Sequence, residues 1–277
     1  MAVKFFKPKN KLLQSCMEGY YFLEKRKDEP VIEYLTFPNN FSIISILQNS
    51  QMIYEDNAAI IKDDPEGGFI SDLICHYKKP IKIVYEGQVS EVTFYFKPLG
   101  LNAFIAENLK TYTNNFFSSF VPFDDYEGVM KTVLNEKDIE IKRDIIEKYW
   151  LSKYTGFSHP FLNDIVRDFT IVGEENNLQG LASKYHTSRQ NINKLFDAHL
   201  GKAPSEFRKV QRFREALMQG VHTKSKNGSL TMLSYDSFFY DQSHLIKDFK
   251  ALTGLTPKAF FKNTSFSENA VINWLFL

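Results

Sequence analysis

The feature that most restricts how this chain can fold is a repeat. Setting residue i against i+53 brings Ile192 onto Leu245, Lys194 onto Lys247, Phe196 onto Phe249, Ala198 onto Ala251, Gly201 onto Gly254, Pro204 onto Pro257 and Phe207 onto Phe260. Ser188 falls on Asp241, and both residue types cap helix N-termini by accepting a bond from an orphan backbone N–H. Each copy reads as a cap, a helix of about three turns with apolar residues at i, i+4 and near i+7, a glycine stop, and a proline that opens another helix. The C-terminal third is therefore expected to be all-helical, with one device used twice.

The outward faces of the two helices carry the polar chemistry. In the first, Ile192, Leu195, Phe196 and His199 share an apolar side, which leaves Arg189, Gln190, Asn193, Lys194 and Asp197 away from it. In the second, Leu245, Phe249 and Leu252 form the stripe, and Gln242, Ser243, His244, Lys247 and Lys250 lie in the first turn or opposite. Short helical patterns and tight turns precede both, in LQGLASKYHTS (178–188) and SLTMLSYDSFFYD (229–241). Helix, turn, helix is a geometry whose second helix can enter a major groove and offer side chains to base edges. Between the copies, PSEFRKVQRFREALMQG reads as a long helix bearing Arg208, Lys209, Arg212 and Arg214.

Charge points the same way. The net +1 divides into +5 over 174–277 (14 Lys+Arg less 9 Asp+Glu) and −4 over 1–173 (20 less 24). A basic third on a mildly acidic body suits a polyanion partner.

Residues 178–262 resemble the DNA-binding domain of AraC/XylS-type transcriptional regulators. The second helix-turn-helix of that family typically reads Gly-Phe-x-Asp-x-Ser-x-Phe-x-Arg-x-Phe-Lys before a Gly-x-x-Pro ending. FFYDQSHLIKDFKALTGLTP (238–257) keeps most of that pattern, and ASKYHTSRQNINKLF (182–196) looks like the first unit. YFKPLGLNAF (95–104) resembles a Phe-Lys-Pro-x-Gly stretch in the N-terminal domain of a subgroup of these regulators. The resemblance implies two units bridged by a long helix, reading adjacent major-groove segments about 34 Å apart. Gln190, Asn193 and Lys194, with Gln242, Ser243 and Lys247, would then face bases; Arg189 and His244 would lie beside them, and Arg208 and Arg212 would contact phosphates. The chain departs from the family at the turn glycines, where it has His186 and Phe238. Phenylalanine tolerates a left-handed backbone poorly, so Phe238 implies strain of order 1 kcal/mol or a changed turn. Lys247 also replaces the common arginine, exchanging a bidentate fork for a point charge.

The remainder reads as α+β. From 31 to about 100, runs such as FSIISILQ, AAIIKD, GGFISDLICHY, IKIVYEG and VSEVTFYFKP alternate with turn residues, predicting an antiparallel barrel or sandwich. After Pro98-Leu99-Gly100 the spacing becomes helical, most clearly where Ile139, Ile145, Ile146, Tyr149 and Trp150 can share a face. The expected division is a sensing or dimerising domain over 1–172 and a DNA-binding domain over 173–277, joined near the polar run GEENN. Tyr77, Tyr85, Phe94 and Phe96 are candidates to line an effector pocket. The apolar tail VINWLFL is expected to dock on the chain itself or on a second subunit.

Catalytic chemistry finds little support. His76 is the single histidine before His159, too few for a metal-bearing barrel, and Cys16 and Cys75 cannot build a zinc site or a disulfide framework. No phosphate-cradling glycine motif occurs. No cofactor or metal is expected, and the absence of a leader or a long apolar stretch suggests a cytoplasmic chain without a membrane partner. Expected partners are double-stranded DNA, a small-molecule effector, a second copy of the chain and RNA polymerase. The rival reading is a small-molecule-binding or enzymatic cupin-like barrel whose C-terminal helices serve as a structural cap.

Overall fold

The computed structural model describes residues 3–75, 77–113, 117–171, 177–224, 242–263 and 274–276. Two sheets lie in the N-terminal part. The first has six strands in the order β1 (Lys4–Phe6), β2 (Met17–Lys25), β9 (Val89–Phe96), β4 (Ser42–Gln48), β7 (Phe69–Ile74) and β10 (Phe117–Ser119). The second has five, in the order β11 (Trp274–Phe276), β3 (Ile32–Thr36), β8 (Ile81–Glu86), β6 (Ala58–Asp63) and β5 (Ser50–Glu55). All pairings are antiparallel except β6 with β8. The sheets form an open sandwich, not a closed barrel.

Alternation along β9 explains the layering. Val89, Tyr95 and their neighbours Glu91 and Thr93 face the second sheet, whereas Val92, Phe94 and Phe96 face the other way. That other face is covered by helices α1 (Lys11–Cys16), α2 (Tyr126–Asn135) and α3 (Ile139–Ser152), so both faces of the strand are buried. Trp150 of α3 is the centre of this helix-covered core, with ring centroids 5.0 Å from Phe96, 5.7 Å from Phe94 and 5.2 Å from Phe104. Ile145, Ile146, Tyr149 and Trp150 pack as their spacing predicts, but Ile139, in the first turn of α3, is exposed. The turn at YFKPLG is shaped by close approach: a Cβ at Gly100 would meet the Cys16 carbonyl oxygen at 1.8 Å, and Leu99 takes a φ of 64°.

The later helices are α4 (Leu162–Thr170), α5 (Leu178–Lys184), α6 (Arg189–Leu200), α7 (Pro204–Lys224), α8 (Gln242–Thr253) and α9 (Pro257–Asn263). They close over two apolar clusters, each of which takes in a residue of the N-terminal part. Leu99 joins the cluster of Phe196 and Phe207, and Phe37 joins that of Phe213, Phe249 and Phe260. The Pro38-Asn39-Asn40 turn is fixed there by polar contacts. Asn40 Nδ2 donates to the Phe207 carbonyl at 3.0 Å, and the buried Lys202 Nζ donates to the Asn39 carbonyl at 2.8 Å. The tail returns across the molecule, where Trp274 pairs with Thr36 and Phe276 with Tyr34 on the edge of the second sheet. No helix among the described residues is long and apolar enough to cross a membrane.

Candidate nucleic-acid interface

The repeat is visible in the backbone. Helix α6 begins at Arg189 and α8 at Gln242; α6 ends against Gly201 and α8 against Gly254; Pro204 opens α7 and Pro257 opens α9, each pair 53 residues apart. Gly201 and Gly254 both have left-handed φ, 58° and 75°, the conformation that stops a helix and favours glycine. The aromatic contact behind each helix is duplicated as well: Phe196 lies 5.7 Å from Phe207, and Phe249 lies 5.9 Å from Phe260.

In the first unit, α5 and α6 meet at a turn held by three backbone bonds: Tyr185 N to Leu181 O, His186 N to Ser183 O and Thr187 N to Ala182 O. His186 adopts a φ of 48°, so the turn keeps its left-handed geometry with histidine in place of glycine. Ser188 caps α6, its hydroxyl accepting from Asn191 N at 3.0 Å. Ile192, Phe196 and Leu200 are buried, while Arg189, Gln190, Asn193 and Lys194 are all exposed on the other side. Asn193 Nδ2 donates to the Arg189 carbonyl at 2.8 Å, which steadies the side chain along the helix surface.

The far end of α6 is tied down. Asp197 pairs with Lys110 at 3.0 Å, and His199 is held through Asn102, whose Nδ2 donates to the His199 carbonyl at 2.9 Å. Burial lowers the imidazole pKa of His199, and its ring lies 5.1 Å from that of Phe157 at a tilt of 54°. His199 is thus a packing residue at the junction with the N-terminal part.

In the second unit Ser243, Lys247 and Lys250 are exposed and Phe249 and Leu252 buried. The side chains of Gln242 and His244, and the turn that contains Phe238, lie outside the described residues. Asp248 is buried on α8 and receives Arg212 Nη2 at 3.2 Å, with Lys209 Nζ at 3.8 Å. Two of the basic residues on the bridging helix therefore hold the second unit in place, a role the charge pattern did not reveal. Arg208 is half-buried, and burial followed by the nearby Arg212 charge lowers its pKa.

The four aromatic candidates for an effector pocket separate into two groups. Tyr77 and Tyr85 line a cavity of about 50 Å³ between the sheets. Phe94 and Phe96 sit on the opposite face of the first sheet, interlocked with Trp150. The parity of β9 carries that distinction, since Phe94 and Phe96 are out of phase with Glu91, Thr93 and Tyr95, which do line the cavity. Tyr77 also spans the junction, its hydroxyl donating to the Phe37 carbonyl at 2.6 Å and receiving Asn39 Nδ2 at 2.9 Å.

Residues 181–263 match the family model described as a helix-turn-helix domain. No curated protein matches the chain. Similar solved structures include ToxT from Vibrio cholerae at 1.65 Å resolution, 11% identical, with a TM-score of 0.44 over 88% of this chain and 97% of that one. Another is wild-type ToxT of Vibrio cholerae strain SCE256 with an unsaturated fatty acid bound, 12% identical, with a TM-score of 0.43 over 87% and 93% of the two chains. The family match, together with helix α6 capped by Ser188 and its backbone repeat 53 residues on, identifies residues 181–263 as a helix-turn-helix domain.

Proposed function

We propose that this chain is a sequence-specific DNA-binding regulator of transcription in which α6 and α8 read neighbouring major-groove segments. It catalyses no reaction in this reading. Residues 173–277 hold the DNA and residues 1–172 sense or dimerise in the cytoplasm, with a small-molecule effector, a second copy of the chain and RNA polymerase as further partners. The single observation behind the proposal is the exposed run Arg189, Gln190, Asn193 and Lys194 at the capped start of a helix that follows a tight turn and is repeated 53 residues on. Amide and cationic side chains at that position suit adenine and guanine edges. Gln242, Ser243, His244 and Lys247 take the same role in the second unit. Arg208 remains a candidate phosphate contact, whereas Arg212 acts chiefly as a brace through Asp248.

The test is selection of duplex DNA by the full chain, followed by anisotropy titrations over a range of salt. Joint replacement of Gln190, Asn193 and Lys194 by alanine should abolish sequence preference while leaving weak, strongly salt-dependent binding. Asn193→Ala alone should cost about 1–3 kcal/mol on the selected site. Unchanged affinity and preference in the folded triple variant would refute the assignment.

A further inference from the structure

The sandwich interior holds a carboxylate in an unusual setting. Glu91 is 3% exposed and lies between two sheets in an otherwise apolar and aromatic core. Its Oε1 accepts from Tyr21 Oη at 3.0 Å, Ser45 Oγ at 3.0 Å and the Thr93 hydroxyl. Oε2 accepts from the Tyr85 hydroxyl alone among the described residues, and Tyr85 in turn lies within hydrogen-bond distance of the Tyr34 hydroxyl, 3.4 Å away. Among the described residues the hydrogen-bond partners of Glu91 are hydroxyls, and the charge of Arg214 bears on Tyr77 and Tyr95 of the same cavity.

Such an arrangement is costly for a purely structural element. A buried carboxyl group outside an ion pair is costly even when hydrogen-bonded, and a well-packed apolar residue is often the more stable choice. Four hydroxyls from strands β2, β4, β8 and β9 nevertheless converge on this one group, and they leave acceptor capacity on Oε2, since a carboxylate offers about four lone-pair sites. The cavity of about 50 Å³ beside it is bounded by Tyr21, Tyr34, Tyr85 and Tyr95. The rings lie in two pairs, Tyr34 with Tyr85 at 6.0 Å and Tyr21 with Tyr95 at 6.1 Å. Aromatic faces attract cations, and a carboxylate among them adds a charge-assisted acceptor while repelling anions.

We infer that the Glu91 carboxylate and its ring of tyrosines form a binding site for the ammonium end of a small organic amine. A water needs about 10–15 Å³ of such a cavity, so this one has room for an ammonium and the first carbons of its chain. Half-buried Met52, Ile74 and Phe117 also line the cavity and carry its wall to the surface, where the remainder of a linear amine can emerge. This inference deepens the proposal that the sandwich carries an effector site and rests on it.

The experiment uses the full chain and four probes at equal ionic strength: n-butylammonium chloride, tetramethylammonium chloride, sodium butyrate and n-butanol. Thermal midpoints and calorimetric titrations should show saturable stabilisation by n-butylammonium, at least tenfold weaker binding of tetramethylammonium, which has no N–H to donate to the carboxylate, and no binding of butyrate. Glu91→Gln preserves a hydrogen-bonding side chain of the same shape and should weaken amine binding at least tenfold, without lowering the midpoint of the free protein. Ala59→Val, which fills the cavity without touching the carboxylate, should also abolish the shift, and it serves if Glu91→Gln does not fold. Stabilisation by butanol or butyrate equal to that by the amine would overturn the amine assignment and leave the effector reading standing. No shift with any probe, an unchanged response in Glu91→Gln, or an unchanged response in Ala59→Val would overturn the site itself. The DNA titrations on the same samples judge the DNA-reading proposal separately.

Discussion

Lys202 gives the sharpest test of how the two parts of the chain are joined. It occupies the corner between α6 and α7, 9% exposed, with Nζ donating to the Asn39 carbonyl at 2.8 Å and to Asn40 Oδ1 at 3.3 Å. Burial pulls its pKa from the ordinary 10.5 down to about 8, against weaker upward pulls from Cys75 and Glu206. Below pH 8 the folded and unfolded chains both keep the proton, and the buried charge exerts its full penalty. Between about 8 and 10.5 the unfolded chain binds more protons than the folded one, so the unfolding free energy rises with pH. At about 1.4 kcal/mol per tenfold change in proton affinity, the whole window is worth about 3 kcal/mol, of which about 2 kcal/mol develops between pH 7 and 9.5. Lys202→Met removes this titration while keeping most of the buried chain length. Urea unfolding of both proteins across that range should show wild-type stability rising by about 2 kcal/mol relative to the variant. Burial pushes the Cys75 thiol up to about 12, which opposes the trend in both proteins and largely cancels in the difference. A difference that stays flat or falls with pH would refute the reasoning, because the two amide oxygens would then be holding the ammonium charged throughout.

Three further outcomes follow from the geometry. Arg212→Ala removes the nearer of two cations at the buried Asp248, Lys209 lying at 3.8 Å, and should destabilise the chain by roughly 1–3 kcal/mol; a double-mutant cycle with Asp248→Ala, read by urea unfolding, should show positive coupling between the two. His186→Gly relieves the left-handed strain at φ 48° and should be neutral or stabilising by up to about 1 kcal/mol, whereas His186→Val should destabilise, both read as thermal midpoints. Ending the chain at Asn269 removes β11 and uncovers the β3 edge, so the truncated protein should lose stability and associate, measured by light scattering.

The helical third was legible because its signals are local. Cap, glycine and proline occur at fixed offsets, each acts within a few residues, and their repetition at 53 gave both helix ends in both units. Strands β4, β6, β8 and β9 were legible from β-branched runs between turn residues. What could not be read was which face each strand shows to which neighbour. In an ordinary half-exposed sheet, polar residues mark the solvent side; here α1 to α3 cover the outer face, so Glu91 and Thr93 mark an interior instead. Grouping Tyr77 and Tyr85 with Phe94 and Phe96 by aromatic character crossed the sheet for that reason. Helix α1 and strand β2 carried too short or too mixed a pattern: MEGYYFLEK holds a glycine whose φ of 157° is extended backbone at a bulge, a feature set by its pairing with β9. The role of Arg212 was hidden because a basic helix face looks the same whether it meets phosphate or a buried aspartate. The parts of the DNA-reading proposal that rest on Gln242, His244 and Phe238 stay with the family resemblance.

The pairing of β11 with β3 also bears on how the protein is made. Trp274 meets Thr36 at a sequence separation of 238 residues, so the edge of the second sheet cannot be finished until the entire helical third has left the ribosome. During synthesis β3 therefore waits with one side unpaired while α4 to α9 are still being added. An unpaired strand edge on a nascent chain is a site for wrong pairing between neighbours on the same message. Slow translation through 178–263 would lengthen that exposure, and a strand supplied early by another copy would occupy the place reserved for the chain's own last strand.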